Sequence, residues 1–200
     1  MSRVAARLVL PAVLVPLALA CGAGTRGAES AKGEAVPPPK FAPGPWAEAL
    51  SSGCTPSGPE LCFNAIDDNC NGVIDEGCGV CTGPLQFTIA WSEAKANVEL
   101  VVIDPNGVKV PKNGSTTSGL RQDRACPEDG CAGQNTENVC LDAPDPARGR
   151  YVLEVHLVSV PGTVTPPTRV RVGVRVGERS YGADLELSPV KDLESIVFTL

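Results

Sequence analysis

The chain has 200 residues, with 17 basic and 23 acidic side chains, a single histidine and nine cysteines. A formal charge of −6 argues against nucleic acid and anionic lipid as partners, because both reward clustered Lys and Arg.

Arg3 and Arg7 precede an apolar run, Leu8 to Ala20, of the length of a signal-peptide core and too short to span a membrane. Residues 1–20 are therefore read as a signal peptide. The run closes on Ala18-Leu19-Ala20-Cys21, whose small-x-small pattern fits ordinary cleavage. Placed before a cysteine, it also resembles a bacterial lipobox, with Ala18 where that pattern usually has Leu. The resemblance implies lipidation of Cys21 and anchoring to the bacterial cell envelope, at the outer membrane or cell surface. Plain secretion with Cys21 free is the alternative. Parity favours the lipid: without Cys21, the cysteines at Cys54, Cys62, Cys70, Cys78, Cys81, Cys126, Cys131 and Cys140 form an even set, enough for four disulfides. Removing the signal takes away two basic and no acidic residues. The mature chain keeps 15 basic against 23 acidic side chains, a formal charge of −8 compatible with binding cations.

Residues 21–53 read as the lipidated cysteine and a flexible, disordered tether, rich in Gly, Ala, Pro, Ser and Glu. Within it, Gly22 to Gly27 matches a dinucleotide-binding G-x-G-x-x-G, but the strand and helix that such a loop requires are missing.

Residues 54–81 change character: five cysteines in 28 residues, many acids and few apolar side chains. Such a segment cannot bury enough apolar surface to fold unaided and needs disulfides, a metal ion or both. Its acidic stretch follows the calcium-loop pattern D-x-[DN]-x-[DN]-G. Asp67, Asn69 and Asn71 take positions one, three and five, and Gly72 the sharp turn. Val73 would offer its carbonyl, and Asp75 falls at position nine. Cys78 stands where a bidentate Glu would complete the cage, so Glu76, or Glu60 from upstream, would have to substitute. With Pro, Gly and Cys on its flanks rather than two helices, the loop is not an EF-hand.

The run Glu60 to Cys78, "ELCFNAIDDNCNGVIDEGC", closely resembles the metal-binding motif of the MopE type found in bacterial secreted and surface proteins. Glu60, Cys62, Asn64, Asp67, Asp68, Cys70, Asn71, Gly72, Asp75, Glu76 and Cys78 match it, and Ala65 replaces a usual glycine. The resemblance implies a metal site, and copper has been linked to the family. Copper and zinc favour imidazole and thiolate, whereas this stretch offers oxygen donors. Calcium is the expected ion, copper the alternative, and a disulfide-clamped turn without an ion the simplest reading.

From residue 85 to 200 the pattern is that of strands. In "LQFTIAW", Leu85, Phe87, Ile89 and Trp91 share one face and alternate with Gln86, Thr88 and Ala90. "NVELVVID" runs into the turn Asp104-Pro105-Asn106-Gly107. "YVLEVHLVSV", "TRVRVGVRV", "ADLELS" and "SIVFTL" follow, with Val170, Val172, Val174 and Val176 facing in and Arg169, Arg171 and Arg175 facing out. The fold class is mainly β, an antiparallel β-sandwich. Trp91 and the Asp104–Gly107 turn also resemble uncharacterised bacterial secreted sandwich domains, which supports the fold and implies no reaction. With three of the eight remaining cysteines in this domain and five in the module, at least one bridge must cross, and Cys81 is the candidate.

No nucleophile elbow, zinc-protease helix or P-loop is present, and His156 sits within a strand pattern, so the chain is expected not to be an enzyme. A carbohydrate- or protein-binding adhesion module is the alternative function. Its contact surface would be the outward arginines or the long Lys112 to Asn138 loop, with a surface polysaccharide or a protein as partner.

Overall fold

Most of the alternating valines and leucines from residue 85 onward become strand. The computed structural model describes residues 40–43, 50–52, 54–127, 131–160, 162 and 167–200. Among them are β1 (Lys40–Pro43), β2 (Ser51–Ser52), β3 (Leu85–Trp91), β4 (Asn97–Ile103) and β5 (Leu120–Ala125), then β6 (Thr136–Leu141), β7 (Arg150–Ser159), β8 (Thr168–Val176), β9 (Arg179–Leu187) and β10 (Leu193–Thr199). No α-helix occurs among the described residues. The signal segment, Cys21 and most of the expected tether lie outside them.

The strands form two antiparallel sheets, one in the order β1-β10-β7-β4 and the other β2-β9-β8-β3-β6-β5. One hydrophobic cluster takes side chains from both. Phe87 on β3 reaches the four-stranded sheet at Phe198, with ring centroids 5.5 Å apart, and Phe198 stacks on Tyr151 at 4.9 Å. Aromatic pairs at such separations add to the burial of their area. Val170, Val172, Val174 and Val176 of β8 point into this cluster. On the opposite face of β8, Arg169 and Arg171 sit across from Glu186 and Asp184 of β9 and pair with them. Opposite charges directly across neighbouring strands stabilise the pairing.

Three expectations change. The tether over residues 21–53 is drawn into the sheets at its end: β1 pairs with β10, β2 pairs with β9, and Leu50 is buried. Edge pairing uses backbone groups alone, so polar composition did not betray it. The segment from Lys112 to Asn138 is not simply a loop, because β5 lies within it and β6 begins in it. Finally, Gln86 and Thr88 alternate with the core residues of β3 but are just as buried, each with no exposed surface.

The cysteine-rich segment is what buries them. It covers the outer face of the six-stranded sheet, where Gln86 Nε2 donates to the Ile74 carbonyl at 3.0 Å. Asn138 on β6 donates to the Cys81 carbonyl at 2.9 Å and to Asp123 at 2.7 Å, and accepts from Thr88 at 2.7 Å. Gly173 of β8 makes the close approach possible, since a Cβ there would stand 2.5 Å from the Ala65 carbonyl oxygen. Ile74 is fully buried against this face.

Four disulfides fasten the arrangement: Cys54–Cys70 and Cys62–Cys78 inside the segment, Cys81–Cys140 between it and β6, and Cys126–Cys131 within the connection from β5 to β6. Cys81 thus makes the crossing.

Candidate functional site

Two hydrogen-bonded clusters share the segment from Glu60 to Cys78. The first is a clamp. Glu60 accepts the backbone N–H of Asp75 at 2.8 Å through Oε1 and that of Asp68 at 3.1 Å through Oε2. Asp75, fully buried with φ +53°, accepts the N–H groups of Asn64 at 3.2 Å and Ala65 at 3.3 Å. Asp68 accepts from Ser57 Oγ, Leu61 N and Asn64 Nδ2. In a segment without a core of its own, these carboxylates satisfy the N–H groups that a helix or sheet would otherwise pair. Burial pushes the Asp75 carboxyl above its usual range, with the N–H groups of Asn64 and Ala65 opposing. Burial likewise raises Glu60. Burial would also raise Asp68, but hydrogen bonds from Asn64, Ser57 and Leu61 outweigh it and hold that carboxyl low.

The second cluster is the loop from Asp67 to Glu76. Asp67 Oδ1 accepts the N–H of Asn71 at 3.0 Å, and Oδ2 accepts that of Gly72 at 2.9 Å and the Ser180 hydroxyl at 2.8 Å. Asn69 Oδ1 accepts from Asn71 N at 3.0 Å, and Asn71 Oδ1 from Val73 N at 2.8 Å. The chain is thereby curled so that side chains at alternate positions converge, with Gly72 at φ +86° making the turn. Both amide nitrogens, Asn69 Nδ2 and Asn71 Nδ2, donate to Glu76 Oε1, the latter at 2.5 Å. The other carboxylate oxygen, Glu76 Oε2, is buried without a hydrogen-bond partner.

The structure therefore brings the side chains of Asn69, Asn71 and Glu76 together, with Asp67 and Val73 on the same turn. It places the Asp75 carboxylate elsewhere, on the backbone of Asn64 and Ala65. Of the two stand-ins for the missing twelfth position, Glu76 is at the convergence and Glu60 is in the clamp. No group of three or more His, Cys, Asp or Glu side chains gathers in metal-holding geometry among the described residues. Two of the three converging side chains are carboxamides.

Arg175 of β8 stands beside the loop, its Nε donating to the Gly177 carbonyl at 2.8 Å. Burial lowers its pKa from the usual value, while the carboxylates of Asp67, Glu76 and Glu178 act the other way. His156 is on the other sheet, 3.4 Å from Glu154. The sequence pattern gave no warning of Ser180, 113 residues from Asp67. Its contact arises only from the docking of the segment on the sheet.

The chain matches no protein-family model, no curated protein and no solved structure.

Proposed function

We propose that this is an exported, non-enzymatic envelope protein. It is anchored through a lipid on Cys21 and built as a β-sandwich with a calcium-binding, disulfide-clamped loop on one face. The observation that carries the calcium reading is the convergence of Asn69 and Asn71, on the turn that Asp67 closes, upon Glu76, which has a buried carboxylate oxygen without a hydrogen-bond partner. An unpaired anionic oxygen shielded from water costs free energy, and a cation is a partner that removes the cost. Asp67, Asn69, Asn71 and Glu76 would hold the ion with their side-chain oxygens, and Val73 with its carbonyl. For each carboxamide, this means turning the oxygen to the position its nitrogen occupies. Asp75 serves the same site from behind, by fixing the backbone that carries it.

Hard oxygen donors suit calcium. Copper and zinc would want thiolate or imidazole, and the eight cysteines from Cys54 to Cys140 are in disulfides. The nearby Arg175 guanidinium opposes a cation, which together with the two neutral donors points to weak binding, with Kd about 10⁻⁴–10⁻³ M. Four disulfides support an oxidising compartment. Their use of eight of the nine cysteines supports lipidation of the remaining one, Cys21.

Calorimetric titration of calcium into the oxidised full-length chain tests the reading. Saturable binding should be found and should be lost in both Asp67→Ala and Glu76→Gln. Binding that survives in both variants would place the ion elsewhere.

A further inference from the structure

The loop is not held by its own residues alone. Asp67 Oδ2 receives one hydrogen bond from within the loop, Gly72 N at 2.9 Å, and one from β9, Ser180 Oγ at 2.8 Å. Gly72 itself lies against the turn joining β8 and β9, so close that an added Cβ would be 2.3 Å from the Glu178 carbonyl oxygen. Positions one and six of the loop therefore rest on the same short hairpin. A shallow cleft at this seam is lined by Cys54, Asp67, Gly72, Glu178 and Ser180. Beside it Arg175, from the strand leading into the hairpin, faces the carboxylates of Asp67 and Glu76.

We propose that Ser180 is a positioning residue for the cation, and that ion binding and docking of the loop on the β8–β9 hairpin are one linked equilibrium. The proposal rests on the calcium reading above. A carboxylate that must ligate an ion loses rotational freedom when it does so. A hydroxyl that already holds one of its oxygens reduces that loss, and removing such an outer partner typically weakens metal binding about 10–100-fold. Linkage is reciprocal: whatever the hairpin contributes to ion affinity, the ion returns as order in the hairpin. The ion would thereby regulate one end of the six-stranded sheet, at residues 177–182, rather than the hydrophobic core. Arg175 works against this coupling, because a cation held by Asp67 and Glu76 takes from the guanidinium the carboxylates that favour its charge.

The test compares the oxidised full-length protein with Ser180→Ala and Ser180→Thr, using calcium chloride as the probe. Calorimetry should give about tenfold weaker calcium binding for Ser180→Ala and near-native binding for Ser180→Thr, which keeps the hydroxyl. Equal melting temperatures in chelator would show that the difference is not one of folding. Hydrogen exchange on the unmodified protein should show calcium slowing the amides of residues 177–182 as well as those of 67–76. Native affinity in Ser180→Ala, or slowing confined to 67–76, would overturn the coupling and leave the calcium site standing. A flat titration of the unmodified protein would remove the calcium site and the coupling together.

Discussion

Asp104 shows how much a single carboxylate organises in this protein. It opens the Asp-Pro-Asn-Gly turn after β4, is almost wholly buried, and accepts from Asn106 N and Val108 N through Oδ1 and from Ser118 Oγ through Oδ2. Burial alone would raise its pKa, but these hydrogen bonds hold it below its usual 3.8. The fold therefore prefers the ionised form. The stabilisation is complete above pH 3.8 and is lost as the pH falls through the folded value. Asp104→Asn should accordingly cost about 1–3 kcal/mol near neutral pH and much less near pH 2. Thermal melts of both proteins across that range check this, and a pH-independent difference would count against it. The turn was legible from four residues, because Asp, Pro and Gly each have a local reason to be there. The roles within the acidic loop were only partly so. The spacing of Asp67, Asn69 and Asn71 marks a curled loop, but nothing local distinguishes Glu76 at its centre from Asp75 and Glu60 in the clamp behind it.

At the scale of elements, the cysteine-rich segment and the sheet beneath it depend on each other. The segment has two disulfides of its own and only Ala65 and Ile74 as well-buried apolar side chains between Cys62 and Cys78. The sheet beneath has a polar outer row, Gln86, Thr88 and Asn138, that would be an ordinary wet face without a cover. The Cys81–Cys140 bridge ties the two, with a sequence separation of 59 residues against 5 for Cys126–Cys131. If bridges act mainly by restricting the unfolded chain, the first contributes about 4 kcal/mol and the second about 2 kcal/mol. Cys81→Ala/Cys140→Ala should therefore lower the denaturation midpoint more than Cys126→Ala/Cys131→Ala. The reverse order in urea titrations would show that the crossing is not what holds the segment down. That a bridge must cross was legible from cysteine parity, since the module alone holds an odd number. The strands β1, β2 and β5 were not legible. β1 and β2 are short edge strands with no apolar alternation, and the outward face of β5 is charged, so pairing rather than side-chain pattern defines them.

The whole molecule joins these scales in one sense of charge. The chain is acidic, two of its outward β8 arginines are matched by acids on β9, and the loop from Asp67 to Glu76 gathers carboxyl and carboxamide groups beside the six-stranded sheet. A cation held there would stabilise the folded form by mass action, in proportion to how far its concentration exceeds Kd. The most direct measurement is the melting temperature of the oxidised protein in a calcium series up to 10 mM, with magnesium at equal concentrations as the control. At about 10–100 times Kd the ion contributes roughly 1.4–2.7 kcal/mol, equivalent to a rise of about 3–10 °C for a folded unit of this size. A graded rise with calcium, smaller with magnesium, is the expected result. A melting temperature unmoved by 10 mM calcium would contradict the central claim, and leave the loop as a turn closed by disulfides and hydrogen bonds alone.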